Sequence, residues 1–207
     1  MVKNPDGSGV KTKMTDKLKN LSRFLSLLHK FQAIERQILV PGQNRLETDS
    51  EHSYQLAMVA WYLVTTNGYD LDLDKVFKYA LVHDLVEAYA GDQVFFAKNF
   101  NVKDKKDGEE KALEKIKAEI SDWPELVELI LSYESKKDKE ARFVYALDKL
   151  LPILNNYLDG GRTWKKFKLS LDQILDYKTA KIAVSAEIEE YFKELTIILK
   201  ENKAKFF

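Results

Sequence analysis

The sequence predicts an all-α fold, a single-domain helical bundle. Only four prolines and eight glycines interrupt 207 residues, too few to punctuate a chain of many short strands. Apolar residues recur at spacings of three and four almost throughout, the period of an amphipathic helix. No alternating apolar–polar run asks for a strand. Apolar residues make up 45% of the chain and charged residues 32%, a balance that lets a chain of this length bury a core of its own.

Residues 1–13, "MVKNPDGSGVKTK", lack the apolar stretch of a signal peptide and read as a flexible leader to a domain over 14–207. The first helix is expected from Thr15 to about Arg36, with Leu18, Leu21, Leu25, Leu28 and Phe31 facing the core. A loop follows through "VPGQNRLETDS". Ser50 is the expected N-cap of the second helix, which ends at "NGYD". The third runs from about Leu73 to Gly91, a residue suited to the position after a helix. "DGEEKALEKIKAEI" and "WPELVELILSYES" read as two shorter amphipathic helices. A long helix spans about Lys139 to Leu158, and "SLDQILDY" leads into a last one from about Lys178 to Lys203. The aromatic residues, Trp61 and Tyr62 among them, read mostly as core.

Lys+Arg and Asp+Glu stand at 33 each, so no bulk charge recruits nucleic acid or a membrane surface. Cysteine is absent, which excludes disulfides, thiolate metal sites and a thiol nucleophile, and fits a cytoplasmic setting. No apolar run approaches the ~20 residues that span a bilayer.

Against this oily background three polar placements stand out. His52, Leu56, Val59 and Leu63 fall within about 40° of one another on a helical projection, so His52 points where the core points. In "ALVHDLVEAYAGD" the same arithmetic groups Val76, Ala80, His83 and Glu87, with Asp84 a quarter-turn away. Asp148 shares its stripe with Val144, Tyr145 and Leu151. Each has a bland reading alone. His52 suits a satisfied core histidine, Glu87 a solvated acid, Asp92 a turn cap and Asp148 a partner of Lys149. His29 has no acid at helical spacing and reads as surface. Of three histidines in the chain, two lie on inner stripes beside buried acids, and an unpaired buried carboxylate costs several kcal/mol. A divalent metal ion turns that cost into a gain, and two imidazoles with two carboxylates suit first-row metals while leaving positions open for water. Such a water ionises near neutral pH.

The order His52, His83-Asp84, Asp148 resembles the HD superfamily of metal-dependent phosphohydrolases. "RLETDSEHSYQLAMVA", "ALVHDLVEAYAGD" and "FVYALDKLLPILNNYLDGGRTW" are similar to the three blocks of its small 5′-deoxynucleotidase-like branch, over about residues 15–180. The resemblance implies that His52, His83, Asp84 and Asp148 hold a divalent metal: Co, Mn, Fe, Ni, Zn or Mg. It implies that Glu87 positions or activates the attacking water, and that Asp92 acts near the sugar or a second cation. Arg45 would meet the substrate phosphate, with Glu47 beside it in the approach to the first histidine. The substrate implied is a nucleoside 5′-monophosphate and the assembly a homodimer.

Two departures fall near the expected substrate: "GDQVFF" stands where "GDT" or "GDLP" is common, and Thr48 replaces an expected asparagine. "HDLVEA" lacks the acidic pair of the guanosine-tetraphosphate hydrolases, and the "GYP" element of the cyclic-dinucleotide enzymes is missing. A hydrolase of longer phosphate chains and a non-catalytic nucleotide binder stand as the alternatives. Pro152, four residues after Asp148, is expected to kink its helix and tilt Asp148 inward.

Overall fold

The computed structural model describes residues 14–92, 96 and 101–207. The expected leader and the "QVF" after Asp92 lie outside the described residues. Among those described, eleven helices and one two-stranded sheet follow in the order α1 (Asp16–Gln32), β1 (Glu35–Leu39), β2 (Leu46–Thr48), α2 (Asp49–Asn67), α3 (Leu73–Val82), α4 (Glu87–Ala90), α5 (Val102–Glu119), α6 (Pro124–Ser135), α7 (Lys139–Leu158), α8 (Arg162–Phe167), α9 (Leu171–Ile182), α10 (Ala186–Glu201) and α11 (Lys203–Phe206). The all-α expectation holds. None of the described helices is long and apolar enough to cross a membrane.

The helix starts are set by side chains that satisfy the first free N–H groups. Thr15 accepts from Leu18 N, Asp72 from Asp74 N and Lys75 N, and Asp138 from Ala141 N. On α2 the cap is Thr48, two residues before the expected Ser50. Its hydroxyl and the Glu51 carboxylate form a reciprocal capping box. α2 ends at Gly68 in the left-handed region, at φ 66°.

α7 is the axis of the core. Phe143, Val144, Leu147, Leu150, Leu151 and Ile153 are all buried, packed by α2, α3, α9 and α10. A satellite cluster joins α1 to the turn after α3 and to α4, α5 and α6 through Leu27, Phe31, Leu85, Ile116 and Ile130. Pro152 lies within α7, and the helix runs unbroken through it. At the C-terminal end, Phe207 stacks on Trp164 with ring centroids 4.7 Å apart. Gly161 is required there: its φ is +76°, and a Cβ would sit 2.1 Å from the Phe206 carbonyl oxygen.

Four expectations are corrected. Leu18, Leu21 and Leu25 lie on the exposed side of α1, while Leu27 and Phe31 make its buried face. Trp61 and Tyr62 are exposed as well, because α2 is apolar on both sides and its buried apolar residues are Leu56, Ala57, Ala60, Leu63 and Val64. The expected last helix is two, parted at 183–185. The loop after α1 contains β1 and β2, an antiparallel pair with Glu35 opposite Thr48 and Leu39 opposite Leu46. Strands of five and three residues are too short to print an alternating pattern on the sequence.

Candidate metal centre

His52 comes from the first turn of α2, His83 and Asp84 from the segment closing α3, and Asp148 from the middle of α7. Each offers one ligand atom, and all four atoms lie within 4.8 Å of one another. His52 and His83 are almost without solvent contact and Asp148 is 1% exposed. The His52 and His83 ring centroids are 5.4 Å apart, and His52 Nε2 lies 3.0 Å from Asp148 Oδ1.

The histidines are placed where they could serve as ligands. His83 Nδ1 lies 3.0 Å from the Ala80 carbonyl oxygen, which can only accept, so Nδ1 carries a proton and Nε2 is the atom turned to the cluster; burial works against a charge on this ring, but Asp84 raises its pKa. That Nε2 is buried without a hydrogen bond, although Asp84 Oδ2 is only 2.9 Å away. Two polar atoms this close could serve as neighbours on one cation. Asp49 Oδ2 and Glu87 Oε2 are likewise buried without partners, an expensive state that a positive ion relieves. The donor set fits a divalent first-row metal.

An HD domain model matches residues 28–189. The chain belongs to the HD domain family. The 5′-deoxynucleotidase HDDC2 of Mus musculus is 33% identical over 137 residues, 65% of this chain and 67% of that protein. Its counterpart in Dictyostelium discoideum is 31% identical over 156 residues, 68% of this chain and 77% of that one. Among solved structures, a "predicted metal-dependent phosphohydrolase" from Magnetospirillum magnetotacticum superposes with a TM-score of 0.75 at 28% identity, covering 89% of this chain and 97% of its own. An HD-domain phosphohydrolase from Listeria innocua shares the fold at 16% identity, with a TM-score of 0.56 over 88% and 99% of the two chains.

This HD domain differs in detail from the sequence reading. The third helix does not continue to Gly91: α3 stops at Val82, and the chain tightens through His83–Val86. Leu85 N bonds to Val82 O, Glu87 N to Asp84 O at 2.8 Å and Ala88 N to Leu85 O, all i→i+3. Residues three apart eclipse in such a turn. Glu87 therefore groups with Asp84 rather than His83, and with Asp49 these form a second carboxylate cluster within 4.8 Å.

Arg45 and Glu47 are placed apart from the expected roles. Arg45 is exposed at the end of the hairpin, and its guanidinium forks onto Glu51 at 2.6 and 2.8 Å. It lies away from the ligand cluster because Glu51, on the outer side of α2, holds it. Glu47 is buried behind the cluster, with Oε2 3.6 Å from His52 Nδ1 and 3.5 Å from Arg36 Nε. Asp92 does line a cavity, with Asp84 and Glu87.

The residue that sequence reasoning missed is Arg36. From β1 it reaches Asp84 Oδ2 at 2.7 Å, Asp49 Oδ1 at 3.0 Å and Asp148 Oδ1 at 3.9 Å. Burial opposes its charge, yet Asp84, Asp148 and Asp49 together raise its pKa well above the ordinary value. Burial also works against the Asp84 charge, but His83 and Arg36 hold that carboxyl far below the usual range. Burial, then the Asp84 and Asp92 charges, push Glu87 well up, against the pull of Lys105 at 3.6 Å. Burial, with Arg36 nearby, lowers His52 to about 4, so its imidazole is neutral. Lys149 Nζ sits 2.5 Å from Asp148 Oδ2.

Proposed function

We propose that the protein is a metal-dependent phosphohydrolase that removes the phosphate from (deoxy)ribonucleoside 5′-monophosphates. The observation that carries this reading is the convergence of two imidazoles and two carboxylates within 4.8 Å of one another, with one of them, Asp84, lining a cavity. The names of the relatives support the nucleotidase form. His52, His83, Asp84 and Asp148 would hold the ion, and imidazole with carboxylate favours Mn, Fe or Co over Mg. When bound, such an ion polarises a phosphoryl oxygen and makes a water easier to deprotonate.

The chain's own residues supply the rest. Arg36 presents N–H donors to the phosphate oxygens from the cavity wall. Glu87, buried beside Asp84 with Oε2 free, takes the proton of the attacking water. Asp92 faces the substrate from the same wall. Pro152, Ile153, Trp164 and Ile174 line the opposite side, an apolar surface suited to a nucleoside.

The setting that fits is the cytoplasm, and the assembly a homodimer. Leu21 and Leu25 of α1, Tyr54, Met58 and Trp61 of α2, Leu81 of α3 and Trp123 of α6 are exposed, and several rim one apolar groove between these helices. Exposed aromatic and aliphatic side chains grouped in this way suit the apolar centre of an interface.

A phosphate-release screen against deoxy- and ribonucleoside 5′-monophosphates with Mn²⁺, Co²⁺ or Mg²⁺, and an EDTA control, tests the function. Release lost in EDTA and in His83→Ala supports it. Monophosphates left intact while longer phosphate chains are cut would replace it with the second reading.

A further inference from the structure

Four basic side chains line the cavity: Arg36, Lys105, Lys149 and Lys178. Three are already engaged. Arg36 binds Asp49 and Asp84, Lys105 is paired with Glu87 and Glu109, and Lys149 with Asp148. Lys178 has no carboxylate at ion-pair distance among the described residues, and its Nζ lies 5.7 Å from the centroid of the Tyr177 ring. It reaches the cavity because Ile174, Tyr177 and Lys178 share one face of α9, which packs on α7.

The charges around Lys178 are mostly of its own sign. Lys149, Asp148, Arg36 and Lys181 are the groups that act on it, and the single anion among them is committed to Lys149 and His52. Burial and then Lys149 push its pKa down to about 7. A half-buried ammonium crowded by cations, with no partner of its own, is a strained arrangement in the free protein. An anion entering the cavity relieves it.

We propose that Lys178 is a phosphate-binding residue that selects terminal phosphates over phosphodiesters; this rests on the phosphohydrolase reading above. A terminal phosphate has three non-bridging oxygens, and the cavity offers three places for them: the ligand cluster, Arg36 and Lys178. A diester has only two such oxygens, so one anchoring donor would be left buried and unpaired. Missing donor–acceptor matches discriminate more sharply than missing apolar contact does. The selectivity for monoesters then lies in α9, outside all three sequence blocks' histidines and acids.

The test uses the Mn²⁺-loaded protein, with Lys178→Gln and Lys178→Arg. Binding of inorganic phosphate is followed by titration calorimetry, and competition by methyl phosphate against dimethyl phosphate gives the selectivity. Steady-state kinetics are run on a deoxynucleoside 5′-monophosphate. Lys178→Gln is expected to weaken inorganic phosphate at least tenfold, raise KM by a similar factor with a smaller change in kcat, and shrink the preference for methyl phosphate at least fivefold. Lys178→Arg is expected to stay within threefold of wild type in phosphate affinity. Equal weakening in both variants would overturn a role for the charge, and unchanged phosphate affinity and KM in Lys178→Gln would overturn the assignment while leaving the nucleotidase reading intact. Wild-type protein that binds inorganic phosphate through Lys178 but cleaves no monophosphate would sink that reading and keep the binding site.

Discussion

Arg36 is the cation that Asp49, Asp84 and Glu47 share, and Arg36→Met tests what it contributes. The guanidinium is 13% exposed and touches Asp49, Asp84 and Glu47 at 3.0, 2.7 and 3.5 Å, with Asp148 at 3.9 Å. Asp49 has no solvent contact and Asp148 almost none. Methionine keeps much of the side-chain volume and removes the charge, leaving Asp49 buried without its cation and Asp84, Asp148 and Glu47 with one positive neighbour fewer. Breaking a buried pair from one side costs roughly 3–5 kcal/mol. For a chain of this size about 2–4 °C accompanies each kcal/mol, so the melting temperature in EDTA should fall by roughly 6–20 °C.

Two companions make the result specific. Asp49→Asn in the Arg36→Met background removes one orphaned charge and should restore part of the loss, a coupling that distant sites do not show. Mn²⁺ supplies replacement positive charge and should narrow the gap further. Arg45→Met is the control. Its partner Glu51 is exposed, and such surface pairs contribute about 0–1 kcal/mol. Thermal unfolding followed by circular dichroism, with and without metal, reads all four proteins. A loss under about 1 kcal/mol for Arg36→Met in EDTA, or one that Asp49→Asn does not touch, would refute the reasoning.

Other outcomes follow from the same geometry. Glu87→Gln should lower kcat by roughly 10²–10⁴ while metal affinity stays close to wild type; activity within tenfold of wild type would remove Glu87 from proton transfer. The Glu51 carboxyl is lowered to about 2 by the Arg45 hydrogen bond, with the Thr48 N–H adding to it. A depressed acid stabilises above its unfolded pKa and loses that contribution as pH falls through the folded one, so the stability gap between wild type and Glu51→Gln should close between pH 4.5 and about 2. That gap is small, under about 1 kcal/mol, because the pair is solvent-screened; a gap that widens on acidification would reverse the assignment. Finally, Met58→Glu with Trp61→Glu should turn a dimer into a folded monomer in sedimentation analysis, and a wild-type chain that sediments as a monomer at micromolar concentration would discard the interface.

What the sequence displayed and what it hid divide along physical lines. His52, His83 and Asp148 were legible because in the sequence each shares a helical stripe with apolar residues, so a polar residue there declares its own burial, and Asp84 was legible as the acid next to His83. Arg36 had no such frame. It sits in "ERQIL", a strand of five residues, and its burial is created by carboxylates from α2, α7 and the turn after α3. Only the pairing of Glu35 with Thr48 sets it beside Glu47. Arg45, nearer the first histidine in sequence, was the obvious candidate and lies beyond the end of the same pairing. The leucines of α1 misled for another reason. With apolar residues on two sides of one helix, periodicity shows that a face is apolar without showing which one meets this chain's core.

The turn at His83–Val86 shows how a small backbone change alters the chemistry. In a continuous α-helix Glu87 would stack on His83, one turn along, and Asp84 would point elsewhere. The i→i+3 bonds instead eclipse Asp84 with Glu87, which gathers Asp49, Asp84 and Glu87 into a cluster next to the His52–Asp148 pair. Such a crowd of carboxylates repels itself unless cations intervene. Arg36 intervenes on one side, bridging Asp49 and Asp84, and Lys105 on the other, near Glu87. On the proposed function, Arg36 would have two tasks that compete for one guanidinium: neutralising the acids and facing the phosphate. A bound ion would take over the first and free N–H donors for the second, so metal and phosphate are expected to strengthen each other's binding through this one side chain.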